Sequence, residues 1–321
     1  MAAIFEMSLE KLTKYTGTNP CPFDFDEYWE RALKEMNETN PEVELIPSEF
    51  HTSFADCFDL YFTGVKGARI HAKYIKPKNF KDKHPAVLIF HGYSGDCGDW
   101  QSKLCYAGAG YSVAALDCRG QGGLSEDKGG VKGNTYFGHI IRGLDDPNSD
   151  NLLFRQIFLD TAQLAKIIMS FPEVDADRVG ALGGSQGGGL TLACGALEPR
   201  IRRLAPAFPF LSDYKRVWDM DLLRDAYSEI KTYFRQFDPR HEREEEIFIK
   251  LGYIDIQFLA DRINGDVLMG TGLQDTVCPP STQFAAYNKI KSKKQMMIYP
   301  DFGHEELKGF NDAVYQFMMQ L

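Results

Sequence analysis

From about residue 85 onward, short apolar runs alternate with longer stretches whose apolar residues recur at helical spacing. Runs of five or six buried-type residues bounded by Gly, Pro and Asp read as strands, and the 3.6-residue spacing between them reads as amphipathic helix. The strands fall at Pro85 to Phe90, Tyr111 to Leu116, Arg178 to Gly183, Arg203 to Phe208, Asp266 to Gly270 and Gln295 to Tyr299. Helices are expected over Trp100 to Gly108, Asn151 to Ser170, Gln186 to Leu197, Thr282 to Ile290 and His304 to Met319. A strand–helix alternation of this length predicts an α/β protein with a mostly parallel, doubly wound sheet flanked by helices. In such a sheet the functional loops gather at the carboxyl ends of the strands.

Two segments break the rhythm. Residues 1–40 carry Phe25-Asp-Glu-Tyr-Trp29 and Ala32-Leu33, an amphipathic helix expected to pack on the domain as an N-terminal extension, while Val43 to Pro77 read as antiparallel strands. Residues 212–262 form a charged, aromatic-rich helical insertion or cap. Its run Arg243-Glu-Glu-Glu246 reads as a solvated helix face. The 321 residues thus make one domain with two additions.

Composition narrows the function. A net charge of -9 without a Lys/Arg block argues against nucleic acid as a partner. No stretch of about 18 apolar residues occurs, which argues against a membrane span. The start, Met1-Ala-Ala-Ile-Phe-Glu-Met-Ser-Leu-Glu10, lacks the basic and apolar regions of a leader, and the seven scattered cysteines form no C-x-x-C pair. A cytoplasmic protein with reduced thiols is expected, and Cys97 and Cys118, in loops near the site described next, need no redox role. With no H-E-x-x-H, no paired Cys/His spacing and no Gly-Lys-Ser/Thr ending, neither metal nor cofactor is expected.

The chemistry concentrates at Gly183-Gly184-Ser185-Gln186-Gly187, between an apolar strand and a helix. A strand feeding G-x-S-x-G and then a helix is the nucleophile elbow of the α/β-hydrolase fold. The turn is too tight for bulky flanking side chains, hence Gly183 and Gly187. A serine hydroxyl needs a base within hydrogen-bond reach and a group to orient that base, and in this fold they follow in the order Ser, acid, His. Of the two histidines beyond Ser185, His241 lies in the charged insertion, whereas His304 follows the last strand in a Gly-containing loop and is the expected base. Asp275, after the strand Asp266-Val-Leu-Met269, is the expected acid; Asp266 sits at the wrong strand end, Asp301 suits a local loop contact, and a plain turn role for Asp275 stays open. The oxyanion donors are assigned to the backbone amides of Gln186, at a helix N-terminus, and Tyr93, in Phe90-His-Gly-Tyr-Ser-Gly95, with Gly92 allowing close approach and His91 a structural hydrogen-bonding residue. A neutral imidazole base predicts activity that rises between about pH 6 and 7.

Taken together, Arg119-Gly120-Gln121-Gly122, Gly183-Gly-Ser-Gln-Gly187, His304-Glu305 and His91-Gly-Tyr-Ser-Gly95 resemble the acetyl xylan esterase and cephalosporin C deacetylase family of carbohydrate esterases. The resemblance extends to Phe23-Asp-Phe-Asp-Glu-Tyr-Trp29 and Phe208-Pro-Phe-Leu-Ser-Asp213. It implies a cytoplasmic serine esterase that deacetylates short xylo-oligosaccharides and cephalosporins and assembles as a doughnut-like homohexamer. It implies the same Ser185, Asp275 and His304, the same Tyr93 and Gln186 amides, and Arg119 and Gln121 as braces of the loops behind the nucleophile. Glu305 is expected to begin the last helix, the alternative being that it buttresses the loop. The Cys-bearing loop Gly95-Asp-Cys-Gly-Asp-Trp100 is where the chain departs from the family pattern, so the acyl chain length is left open. The competing readings are a serine peptidase or general short-chain carboxylesterase of the same fold, and a noncatalytic binding protein.

Overall fold

The apolar runs assemble into a single nine-stranded sheet. In the computed structural model, which describes residues 6–78, 82–128 and 138–321, the strands are β1 Glu44–Pro47, β2 Ala55–Thr63, β3 Arg69–Pro77, β4 His84–Phe90, β5 Ser112–Leu116, β6 Val174–Gly184, β7 Arg203–Ala207, β8 Asp266–Gly272 and β9 Lys294–Tyr299. Residues 1–5, part of the start read above for a leader, lie outside the described residues. The strand order is β1-β2-β3-β5-β4-β6-β7-β8-β9. β1, β2 and β3 pair antiparallel and join the sheet through β3 against β5; β4 onward pairs in parallel.

This order decides where chemistry can occur. The chain leaves β4, returns as β5 on one side and crosses to β6 on the other, so a crevice opens beyond the carboxyl end of β4, the topological switch point of an open α/β sheet. The loop after β4 and the turn after β6 meet there. β4 and β5 are apolar and almost wholly buried, as expected of central strands covered on both faces.

The helices are α1 Leu9–Leu12, α2 Phe25–Glu38, α3 Leu104–Gly108, α4 Leu153–Ser170, α5 Gln186–Leu197, α6 Tyr214–Asp219, α7 Ser228–Phe237, α8 Glu244–Gly252, α9 Ile256–Leu259, α10 Pro280–Lys289 and α11 Phe310–Met318. All twelve residues of α5 are buried, and α4 is nearly so, because α2 covers it from outside: Trp29 stacks on Phe158 at 6.0 Å and donates from Nε1 to the Tyr253 carbonyl (3.1 Å). An apolar surface on every side is what a helix needs when it is enclosed on every side. In the insertion, Tyr214, Tyr227, Tyr233, Phe234 and Phe248 turn inward, whereas Glu245 and Glu246 stay exposed.

Several boundaries differ from the sequence reading by a few residues, and two of them have a plain physical cause. The last helix begins at Phe310, not His304. Leu307 and Phe310 both pack into the core beside β8, which gives a loop the apolar spacing of a helix, and Gly309 at φ 78° ends that loop. α10 starts at Pro280, a residue suited to the first turn because the amide it lacks would have no intrahelical acceptor. Among the described residues no helix is long and apolar enough to cross a membrane.

Candidate active site

β6 ends in the turn that carries Ser185. Its backbone stands at φ 56° and ψ -120°, with its N–H donating to the Ala207 carbonyl (3.0 Å) and its carbonyl accepting from the Phe210 and Gly189 amides (3.0 and 3.1 Å). Three hydrogen bonds fix a conformation that a serine would otherwise avoid. The neighbouring glycines are obligatory for the reason the sequence suggested: a Cβ at Gly187 would meet the Phe90 carbonyl oxygen at 2.0 Å, and one at Gly183 would meet Gly187 and Phe90 backbone atoms at 2.6 Å.

Ser185 Oγ lies 3.1 Å from His304 Nε2, and His304 Nδ1 lies 2.9 Å from Asp275 Oδ2. The loop between β9 and α11 brings in the histidine; the turn after β8 brings in the aspartate. Asp275 is fully buried and does two things at once. Its Oδ1 accepts the Val277 and Cys278 amides (2.9 and 2.8 Å), the Asx-type turn left open above, which leaves Oδ2 aimed at the imidazole. With Asp275 accepting, the proton sits on Nδ1 and Nε2 is free to accept from the serine. Phe208 packs edge-on against the ring at 4.7 Å, and His304 is not joined by Asp266 or Asp301. His241 stands apart, exposed, against Trp218 and Phe234 and 3.3 Å from Glu244.

The Gln186 amide is the first of α5 and, like all first-turn donors, has no intrahelical acceptor. Its side chain forms a reciprocal pair with Gln121 (2.8 and 3.0 Å), and Gln121 Oε1 also accepts the Ser94 amide at 2.9 Å. Gln121 therefore ties the loop bearing Tyr93 to the helix bearing Gln186. His91 plays the structural part expected: Nε2 accepts the Cys118 amide (3.0 Å) while Nδ1 donates to the Gly92 carbonyl (2.7 Å). Gly92 does not match its reading, because no protein atom lies within 4 Å of where a Cβ would sit. The close approach belongs to Gly122, whose Cβ would meet the Ser94 and Gly95 carbonyl oxygens at 3.0 Å.

Arg119 points away from the nucleophile. Its guanidinium makes a two-pronged contact with Asp160 of α4 (Nε 2.7 Å, Nη2 2.5 Å) and donates from Nη1 to the Val65 carbonyl (3.2 Å), all of it buried. Burial pushes the Asp160 carboxyl up, against the pull of Arg119. Glu305 takes the second of its two readings, not the helix start: it accepts the Gly303 amide (3.0 Å) and stiffens the His304 loop, five residues before α11 begins.

A second buried system fastens the loop after β4. Asp117 accepts the Cys97 and Leu124 amides (2.6 and 2.9 Å) and meets His71 Nδ1 at 2.6 Å, while His71 Nε2 meets Asp59 at 3.0 Å. Burial alone would raise the Asp117 carboxyl, yet the bonds from His71, Leu124 and Cys97 hold it well below the usual range. The Cys97 thiol is pushed up to about 12 by burial and then by Asp117, and burial raises Cys118 as well, so both behave as inert packing groups.

Among the described residues, two groups bring metal-ligating atoms within 4.8 Å of one another: His71, Cys97 and Asp117, and Asp275, Cys278 and His304. In each, imidazole and carboxylate are already hydrogen-bonded at 2.6 and 2.9 Å, closer than the about 3.3 Å kept by two ligands of one tetrahedral ion. Cys278 is a site residue the sequence reading passed over. Its thiol is buried beside Asp275, and burial first, then that carboxylate, pushes it well up. Its position three residues after the acid, inside the same turn, was the available signal.

A serine on a strand–helix turn, with histidine and aspartate following in that order around one switch point, defines an α/β-hydrolase built for nucleophilic acyl transfer. Residues 1–321 match the acetyl xylan esterase family (AXE1), and the chain belongs to that family of carboxylic ester hydrolases. The structure is similar to that of acetyl xylan esterase 1 from a Thermoanaerobacterium species, at 66% identity and TM-score 0.96, covering 98% of this chain and 99% of that one. It is also similar to an acetyl xylan esterase from a Paenibacillus species, at 33% identity and TM-score 0.92, with 98% and 99% covered. Acetyl esterase Axe7A of Xylanibacter ruminicola is 29% identical over 301 residues, which are 91% of this chain; the chain spans 65% of that relative's length.

Proposed function

We propose that the chain is a serine esterase that removes acetyl groups from acetylated xylo-oligosaccharides and other small acetylated substrates, the acetyl ester of cephalosporin C among them. The observation that carries this is the continuous hydrogen-bond path from Ser185 Oγ through His304 to a fully buried Asp275. The family membership and the printed names of the two similar structures and of Axe7A support acetate as the acyl group.

In this reading Ser185 Oγ attacks the acetyl carbonyl carbon while its proton passes to His304 Nε2. The tetrahedral oxyanion takes hydrogen bonds from the Tyr93 and Gln186 amides. The ester C–O bond breaks, His304 returns the proton to the departing sugar oxygen, and an acetyl-enzyme remains. Water, deprotonated by the same Nε2, then attacks that ester, releases acetate and restores the serine. Asp275 keeps the tautomer and stabilises the imidazolium without taking the proton. The resemblance further supports a homohexamer with its sites facing a central chamber, and the seven cysteines, all free thiols, support a cytoplasmic location. Replacing Ser185 with Ala is expected to leave the fold intact and lower kcat on p-nitrophenyl acetate by at least about 10⁴-fold. A pure, folded variant with near-normal turnover would remove Ser185 from the mechanism.

A further inference from the structure

The loop that bears Tyr93 is held from its far side by the helical insertion. The Tyr93 ring is half-buried; it stacks over Phe154 (6.5 Å) and stands edge-on to Phe210 (5.4 Å) and His139 (5.0 Å). Its hydroxyl accepts the His139 amide at 3.0 Å and is hydrogen-bonded to Glu229 Oε1 on α7. Glu229 Oε2 in turn accepts the Ile140 amide at 2.9 Å. The carboxyl group is only 6% exposed and no cation is paired with it among the described residues.

We propose that Glu229 is a positioning residue for the oxyanion hole, holding the Tyr93 ring from α7 so that the Tyr93 amide stays aimed at the reacting carbonyl oxygen. This rests on the reading of the Tyr93 amide as an oxyanion donor. A backbone amide has no adjustment of its own: its direction follows the ring and the loop, and about 1 Å of misplacement is enough to cost two orders of magnitude in rate. The insertion also reaches the other side of the site, where Arg216 Nε donates to Ser281 Oγ of α10 at 3.1 Å, so the segment that carries Glu229 is itself tied down.

The pairing suits a neutral acid. A protonated carboxyl accepts the Tyr93 hydroxyl on Oε1 and the Ile140 amide on Oε2, so both oxygens are engaged without burying a charge. Burial pushes Glu229 up to about 8, against the opposing bonds from Ile140, His139 and Ile141. Among the described residues, the charged and titratable groups lining the same cavity of about 650 Å³ besides Glu229 are Tyr93, His139, Arg142 and Asp225. None of them neutralises an ionised Glu229: His139 is lowered to about 4 by burial and then Arg142, Arg142 is paired with Asp127, and Asp225 is acidic and exposed. Ionisation therefore places an unbalanced charge between α7 and the oxyanion loop, and turnover is expected to fall as pH rises through about 8.

The test compares wild type, Glu229→Gln, Glu229→Ala and Tyr93→Phe on p-nitrophenyl acetate from pH 6 to 10, with secondary structure and thermal midpoint recorded for each. Glutamine keeps the size of the carboxyl and one accepting oxygen for the Tyr93 hydroxyl but cannot ionise. It is expected to keep kcat within about threefold at pH 7 and to lose the decline above pH 8. Alanine is expected to lower kcat about 10- to 100-fold with KM changed less than about threefold. Tyr93→Phe is expected to lose nearly as much, and the double variant Tyr93→Phe/Glu229→Ala little more than either alone. A folded Glu229→Ala with wild-type kcat, a loss confined to KM, or the same alkaline decline in Glu229→Gln would each overturn the proposal. Should wild type show no Ser185-dependent hydrolysis at all, it is the esterase reading that fails; wild-type activity with an indifferent Glu229 sinks the positioning role alone.

Discussion

Ser185 is held in a backbone conformation that costs on the order of 1–3 kcal/mol for a residue with a side chain, and the cost is met by the hydrogen bonds to Ala207, Phe210 and Gly189 and by the packing of the elbow. What distinguishes the site residue by residue is how few side chains hold it together. Gln121 links the Ser94 amide to Gln186, and Arg119 fastens the loop after β5 to α4. Arg119 is 2% exposed and Asp160 1%, so truncating one partner strands the other without water. Arg119→Ala is expected to destabilise the fold by about 3–5 kcal/mol in urea unfolding, and Arg119→Lys to recover only part of this because an ammonium cannot make the two-pronged contact. A loss below about 1 kcal/mol for Arg119→Ala would show that the pair contributes little beyond what its burial costs.

At the scale of elements, the β6–α5 turn is fixed by contact distances more than by propensity. Gly187→Ala places a methyl 2.0 Å from the Phe90 carbonyl oxygen, a backbone atom that cannot swing aside, so β4 and α5 must move apart. The expected outcome is a loss of at least about 2 kcal/mol and of measurable esterase activity, read by thermal unfolding and p-nitrophenyl acetate hydrolysis. Normal stability and turnover in that variant would mean that the elbow is looser than described. The elements of this region were legible in the sequence because the apolar runs are short, glycine-bounded and regularly spaced. The start of α11 was not, because Leu307 supplies helical spacing from within a loop. The same logic separates the residues of the site. Ser185, Asp275 and His304 each follow a recognisable strand, so chain order alone brings them to one end of the sheet. Glu229 meets Tyr93 across 136 residues of sequence, and no local pattern announces such a contact.

For the molecule as a whole, the buried acids give stability a definite pH dependence. Glu229 is raised to about 8 by burial, and Asp255 to about 7 by burial and then by the neighbouring Asp213. A carboxyl whose pKa is raised on folding contributes stability that is complete below its unfolded value, near 4, and is lost as pH rises through the folded value. The thermal midpoint is therefore expected to fall between pH 5 and 9 in a differential scanning experiment; a midpoint that climbs over that interval contradicts the assignment. Asp213 and Asp255 also bind the N-terminal segment to the insertion: Asp213 accepts from Tyr15 Oη and the Thr18 and Asn19 amides at 2.7, 3.0 and 2.8 Å, and its own amide donates to Asp255 (2.9 Å). The two additions that interrupt the α/β rhythm are thus joined to each other, and the insertion reaches Tyr93 through Glu229 and α10 through Arg216.

Substrate preference decides whether the chain is a carbohydrate deacetylase. Hydrolysis of acetyl, butyryl and octanoyl p-nitrophenyl esters, alongside acetate release from an acetylated xylo-oligosaccharide, would be measured with Ser185→Ala as the control. A steep preference for acetyl together with Ser185-dependent release of acetate from the sugar is the predicted result; preference for the longer acyl chains, or no release from the sugar, would contradict it.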